Sequence, residues 1–88
     1  MATFQIQWPT VQMARRDIHA ARRILAQQVR RLRVARELSQ EDLAHAADLS
    51  QDQISEIENA KHSTRLDNIQ RLAVALGVTV AELLGEER

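Results

Sequence analysis

The sequence predicts an all-α protein, on three observations. The 88 residues include two glycines and one proline, so little interrupts helix formation. With one Phe and one Trp among 44% apolar residues, the core must be built from Leu, Ile, Val and Ala. Apolar residues recur at three- and four-residue spacing between polar capping signals over most of the chain. One small globular domain follows from that length and from the balance of 44% apolar to 27% charged residues.

The exception comes first. Residues 3–8 alternate, with Phe4, Ile6 and Trp8 on one face and Thr3, Gln5 and Gln7 on the other, until Pro9. This is a strand pattern without a second strand in the chain. It pairs with its own copy across a two-fold axis, packs as an arm on a neighbouring helix, or is disordered.

Thr10 can cap the helical stretch that follows. Val11, Ala14, Ile18, Ala21, Leu25 and Leu32 hold near-heptad spacing, with Val29 displaced by one residue. One long helix or two abutting helices can fill 10–36. Arginines come in pairs here (Arg15-Arg16, Arg22-Arg23, Arg30-Arg31), so they point in several directions.

Residues 39–58 read as two short helices around a tight corner. Ser39 is an N-cap before the acidic first turn Glu41-Asp42. Leu43, Ala44 and Ala47 share one face. Asp48-Leu49-Ser50 breaks the pattern, and Ser50 with Gln53 is a capping box that starts the next helix. That helix buries Ile54 and Ile57 and turns Gln51, Asp52, Ser55 and Glu56 outward. Two short helices joined in this way describe a helix-turn-helix, and Ala44 and Ala47 let the second helix lie close across the first.

A polar loop, Asn59–Ser63, separates this unit from the rest. Thr64, with Asp67 at N3, is a capping sequence for a helix that would bury Leu66, Ile69, Leu72, Ala73 and Leu76. Gly77 ends that helix. Thr79 and Glu82 cap a last short helix that would bury Leu83 and Leu84.

Several functions are disfavoured at this level. Without cysteine there is no disulfide framework and no Cys-based zinc site. His19, His45 and His62 are far apart and lack metal-ligand spacing, so neither metal nor cofactor is expected. There is no phosphate-binding glycine loop and no nucleophile elbow, which argues against an enzyme. The uncharged apolar stretch 72–81 is too short to span a bilayer, and 1–20 lacks a signal pattern, so a cytoplasmic location without membrane association is expected. The zero net charge is unevenly placed. Residues 1–38 carry eight arginines against two acids (+6), and residues 39–88 carry four basic residues against ten acids (−6). An anionic partner for the first half, or association of the two halves, would answer that asymmetry.

The stretch 25–84 resembles the Cro/repressor-type (XRE-like) helix-turn-helix domain. The matching residues are Val29-Arg30-x-Leu32-Arg33, Leu38-Ser39-Gln40-Glu41-x-Leu43-Ala44 and Leu49-Ser50-x-x-x-Ile54-Ser55-x-Ile57-Glu58-Asn59. They continue in Leu72-Ala73-x-Ala75-Leu76-Gly77-Val78 and Glu82-Leu83-Leu84. The resemblance implies a five-helix DNA-binding domain over 25–84; the arm and helix over 1–24 lie outside the family pattern, and 85–88 is a tail. It implies a recognition helix at 51–58 lying in the major groove, with Gln51, Asp52, Ser55 and Glu56 facing bases. Gln40 matches one phosphate contact, and Asn59, Lys61, His62 and Ser63 match a second. Arg33 and Glu58 match a structural ion pair.

Side-chain chemistry accords with part of this. Gln can bond bidentately to adenine, and carboxylates can accept from cytosine N4, although Asp52 and Glu56 also repel the phosphate backbone. The alternative is that Asp52 only favours the helix dipole and Glu56 is solvated, which leaves specificity to Gln51 and Gln53. Glu37, Asp48 and Ala60 stand where the family often has glycine, and the family's proline is missing near Thr64.

A transcriptional regulator, acting as a homodimeric repressor on a palindromic double-stranded operator, is the expectation. An antitoxin with a toxin partner and a restriction–modification controller are variants of the same build. A protein-interaction module that has lost DNA binding is the rival. The dimer surface is expected at Phe4, Ile6, Trp8, Val11 and Ile18, with the last helix (80–84) as the family's alternative.

Overall fold

The structure, a computed structural model, describes residues 17–85. Among the described residues five helices follow one another: α1 (Ala20–Ala35), α2 (Gln40–Ala47), α3 (Gln51–Glu58), α4 (Leu66–Leu76) and α5 (Val80–Leu83). There is no strand among the described residues. The alternating stretch 3–8, the cap at Thr10 and residues Phe4, Ile6, Trp8 and Val11 lie outside them.

A turn at Ile18 and His19 precedes α1, with the Ala20 amide bonded to the Asp17 carbonyl at 3.2 Å. The span 10–36 is therefore not one continuous helix. The boundary drawn at residue 25 falls inside α1. Of the near-heptad stripe, Ile18 and Ala21 are exposed, and burial begins at Leu25, Ala26, Val29 and Leu32.

α2 packs against both α3 and α4, and α1 lies over α3. One apolar core results, with Val29, Leu43, Ile54, Leu72 and Leu83 fully buried in it and Leu76 nearly so. Ala44 and Ala47 are buried where α2 meets this core, and their small size admits a close crossing by α3. Gln28 Nε2 donates to the Glu82 carbonyl at 2.8 Å, which ties α1 to the last helix. A Cβ on Gly85 would lie 2.7 Å from Ile24, so the start of the tail is closely packed on α1.

The helix starts at Ser39, Ser50 and Thr79 carry reciprocal capping boxes. The helix ends are also uniform. After each of α1 to α4 one residue turns left-handed: Glu37 (φ 56°), Asp48 (57°), Ala60 (55°) and Gly77 (71°). The next amide then bonds five residues back, as in Leu38 to Arg33, Leu49 to Ala44, Lys61 to Glu56 and Val78 to Ala73. These are Schellman closures. Three of them accept a non-glycine residue in the left-handed region, a strain of about 1 kcal/mol or more for Glu and Ala.

Three expectations need correction. Thr64 does not cap α4. Arg65 is the N-cap, without a side-chain bond, because its carbonyl receives the Asn68 and Ile69 amides and so starts the helix one residue later. Leu66 is 71% exposed. It shares a face with Gln70 and Val74, beside the stripe of Leu72, Ala73 and Leu76 that meets the core. Leu84, at the C-cap of α5, stays 39% exposed because Leu83 takes the core position.

Candidate nucleic-acid interface

The interface is organised by α3. Ile54 and Ile57 seat the helix on the core, and by helical periodicity that places Gln51, Asp52 and Glu56 in solvent with Ser55 half-buried. Its start is fixed by Ser50. The hydroxyl accepts from the Gln53 amide at 3.1 Å, and Gln53 Oε1 accepts from the Ser50 amide at 2.9 Å. Gln53 therefore spends its carbonyl oxygen on the cap, which weakens the alternative that it reads bases.

The other end of α3 is held by a buried carboxylate. Glu58 is 7% exposed, and its side chain is fully covered. Arg33 donates to it twice, from Nε to Oε2 at 2.6 Å and from Nη2 to Oε1 at 3.1 Å. The remaining Arg33 nitrogen, Nη1, donates to the Leu38 carbonyl at 2.8 Å, just beyond the left-handed Glu37. Gln40 Nε2 reaches Oε1 at 3.2 Å from the first residue of α2, and Arg30 Nε reaches the same oxygen at 3.5 Å. Burial is the strongest single influence on Glu58 and opposes its ionisation. The bonds from Arg33, Gln40 and Arg30, with the Arg33 charge, outweigh it and hold the carboxyl below the usual glutamate range. Glu58 in turn holds the Arg33 guanidinium above its ordinary value.

A groove of about 430 Å³ runs along the other flank of α3, between it and α4. Gln53, Glu56, His62, Arg65, Asn68 and Arg71 are among the residues that line it. Arg71 is engaged by Asp48 at 3.1 Å. Among the described residues no cluster of His, Asp or Glu is arranged to hold a metal, and no helix is long and apolar enough to cross a membrane.

This geometry meets its counterpart in known proteins. A helix-turn-helix family model matches residues 29–83. The chain belongs to the helix-turn-helix family. It is 41% identical over 64 residues to control protein C.BamHI of Bacillus amyloliquefaciens, covering 72% of this chain and 79% of that protein. It is 33% identical to the immunity repressor protein of Bacillus phage phi105 across 72% of this chain and 44% of that one. Among solved structures it superposes on the hypothetical transcription factor NHTF from Neisseria with a TM-score of 0.72 at 37% identity, covering 74% of this chain and 73% of that one. The restriction-modification controller C.AhdI from Aeromonas hydrophila gives 0.68 at 35%, covering 70% of this chain and 94% of that one. Cro/repressor-type architecture and a role as a DNA-binding transcriptional regulator follow from this membership.

In this helix-turn-helix protein α2 and α3 are the paired helices. Gln51, Asp52, Ser55 and Glu56 lie on one helix, eight residues or fewer from the Asn59–Ser63 loop. Asn59, Lys61, His62 and Ser63 are all exposed. The Asn59 amide nitrogen turns back onto the Ser55 carbonyl at 2.8 Å. Gln40 sits at the start of α2 with one of its two N–H groups committed to Glu58. Ile18 is 74% exposed, outside this constellation. Two groups escaped the sequence reading. The groove residues Arg65, Asn68 and Arg71 left no local signal. Arg30 did leave one, since it precedes Arg33 by three residues and so shares its helix face.

Proposed function

We propose that this regulator binds a palindromic operator as a homodimer, with α3 of each protomer in the major groove. The observation that carries the reading is the outward face of α3. Gln51, Asp52 and Glu56 are exposed together on a helix whose other side and C-terminal end are locked into the core. Gln51 has the donor and acceptor pair that matches adenine, and Asp52 and Glu56 can accept from cytosine N4, with Ser55 beside them. Phosphates on the two flanks fall to the start of α2 near Gln40 and to Asn59, Lys61, His62 and Ser63. Such a protein acts in the cytoplasm, where the DNA is, and the fold requires no catalytic role.

Selecting bound sites from a random duplex pool tests the reading. A recovered motif with two half-sites about 34 Å apart supports it. Absence of salt-dependent binding to any duplex at about 50 mM salt defeats it and leaves the protein-interaction module, with a toxin or other protein as partner.

Exposed apolar side chains argue for the dimer, and two groups of them are candidates for its surface. One is Ile18, which continues the series Phe4, Ile6, Trp8 and Val11. The other is Leu66 and Val74, eight residues apart on one face of α4, at 71% and 72% exposure. Solution mass after deletion of residues 1–10 separates them. Loss of the dimer assigns the first surface. A retained dimer that Val74→Glu then breaks assigns the second.

Control of a restriction–modification operon is the second reading. It is favoured by the resemblance to C.BamHI at 41% and to C.MunI at 38% identity, and by the fit to 94% of the C.AhdI chain. A selected operator that maps upstream of a linked endonuclease or methyltransferase gene supports it.

A further inference from the structure

Glu58 Oε1 has more donors than it can serve well. A carboxylate oxygen offers two good acceptor directions, yet Arg33 Nη2 at 3.1 Å, Gln40 Nε2 at 3.2 Å and Arg30 Nε at 3.5 Å all converge on this one. Arg33 alone neutralises the carboxylate, through a two-point bond from a side chain that is 15% exposed. Arg30 makes the longest contact from a side chain that is 58% exposed. The corner therefore holds two guanidinium charges against one carboxylate. The surplus charge stands on Arg30, beside the positive start of α2, where Gln40 bonds the same oxygen.

From this convergence we propose that Arg30 binds the DNA backbone: it leaves Glu58 to a phosphate next to the start of α2 while Arg33 keeps the carboxylate. Leaving costs little, because the contact is long, exposed and redundant. A phosphate offers Arg30 an unshared acceptor, and the released charge offsets the repulsion between the backbone and Asp52 and Glu56. The inference rests on the DNA-binding reading above and adds to it a backbone contact from α1.

The test uses the full chain and a labelled random-sequence duplex, titrated between about 50 and 200 mM salt. Arg30→Gln is expected to lower the slope of log K against log salt by about 0.9 per bound protomer, with no change in melting temperature. Arg30→Lys keeps the charge and is expected to retain the wild-type slope. Arg33→Gln is the structural control and is expected to lower the melting temperature. An unchanged slope in Arg30→Gln overturns the proposal while wild-type binding leaves the DNA-binding reading standing. A melting-temperature loss in Arg30→Gln as large as that of Arg33→Gln also overturns it, since Arg30 is then structural. If the wild-type chain shows no salt-dependent binding, both fall.

Discussion

At its C-terminal end α3 is fastened by Glu58, whose covered carboxylate gathers Arg33 and Arg30 from α1 and Gln40 from α2. At its N-terminal end the same helix leaves Gln51 and Asp52 in solvent, with its start set by the local Ser50–Gln53 box and its inner side seated by Ile54. Eight residues thus carry two opposite designs. The N-terminal end presents polar side chains to solvent, and the C-terminal end is tied through its carboxylate to α1 and α2. A difference in function between the two ends must then appear as a difference in which property each substitution moves: stability at Glu58, binding at Gln51.

The strongest way to break this comparison is Glu58→Ala. It leaves the Arg33 guanidinium, most of it covered, without its partner, and loss of about 3–5 kcal/mol is expected in urea unfolding. A loss under about 1 kcal/mol would place the anchor of α3 in its apolar seat alone. Next in size is Gln51→Ala. It is expected to reduce affinity for the selected operator by about 1–3 kcal/mol, measured by competition against random duplex, with the melting temperature unmoved. If stability falls with it, the two ends are not separate.

Acid sharpens the comparison further. Glu58 titrates lower folded than unfolded, so its contribution is complete above the unfolded value of about 4.3 and is lost as pH falls through the folded value. Asp42, held low by the Ser39 amide and hydroxyl in the cap of α2, acts in the same direction. The urea midpoint is expected to hold between about pH 7 and 5 and to drop below about 4.3, with a shallower drop in Glu58→Gln. The smallest effect lies just beyond α3. Ala60→Gly relieves a left-handed backbone at φ 55°. It is expected to raise stability by about 0.5–1 kcal/mol and to leave operator affinity unchanged.

The parts of the molecule that could be read in advance share one feature, which is short range. The boxes at Ser39, Ser50 and Thr79 each join residues three apart, and the left-handed end at Gly77 needs only glycine's freedom. Leu43, Ala44, Ala47, Ile54 and Ile57 follow helical period, and all are buried. Local rules failed where two of them competed. Thr64 is a better cap by type than Arg65, yet the loop after Ala60 delivers Arg65 to the cap position. Leu66 fits an apolar period but falls at the margin of the buried face. The left-handed residues Glu37 and Ala60 carry no local mark, since neither type favours that conformation, and only the family pattern pointed to them.

By itself, then, the sequence determined the helices from α2 onward, the caps at Ser39, Ser50 and Thr79, most of the apolar faces that pack them and the polar face of α3, because each depends on neighbours within a turn or two. The family resemblance pointed to the Arg33–Glu58 pair, and only the tertiary structure brought Gln40 and Arg30 to the same carboxylate. Arg30, Arg33 and Gln40 lie 28, 25 and 18 residues from Glu58 along the chain. Only when α1 and α2 cross the end of α3 do they meet at one carboxylate. Which of them stabilises the fold and which is free for a phosphate depends on distances that appear after that crossing has formed.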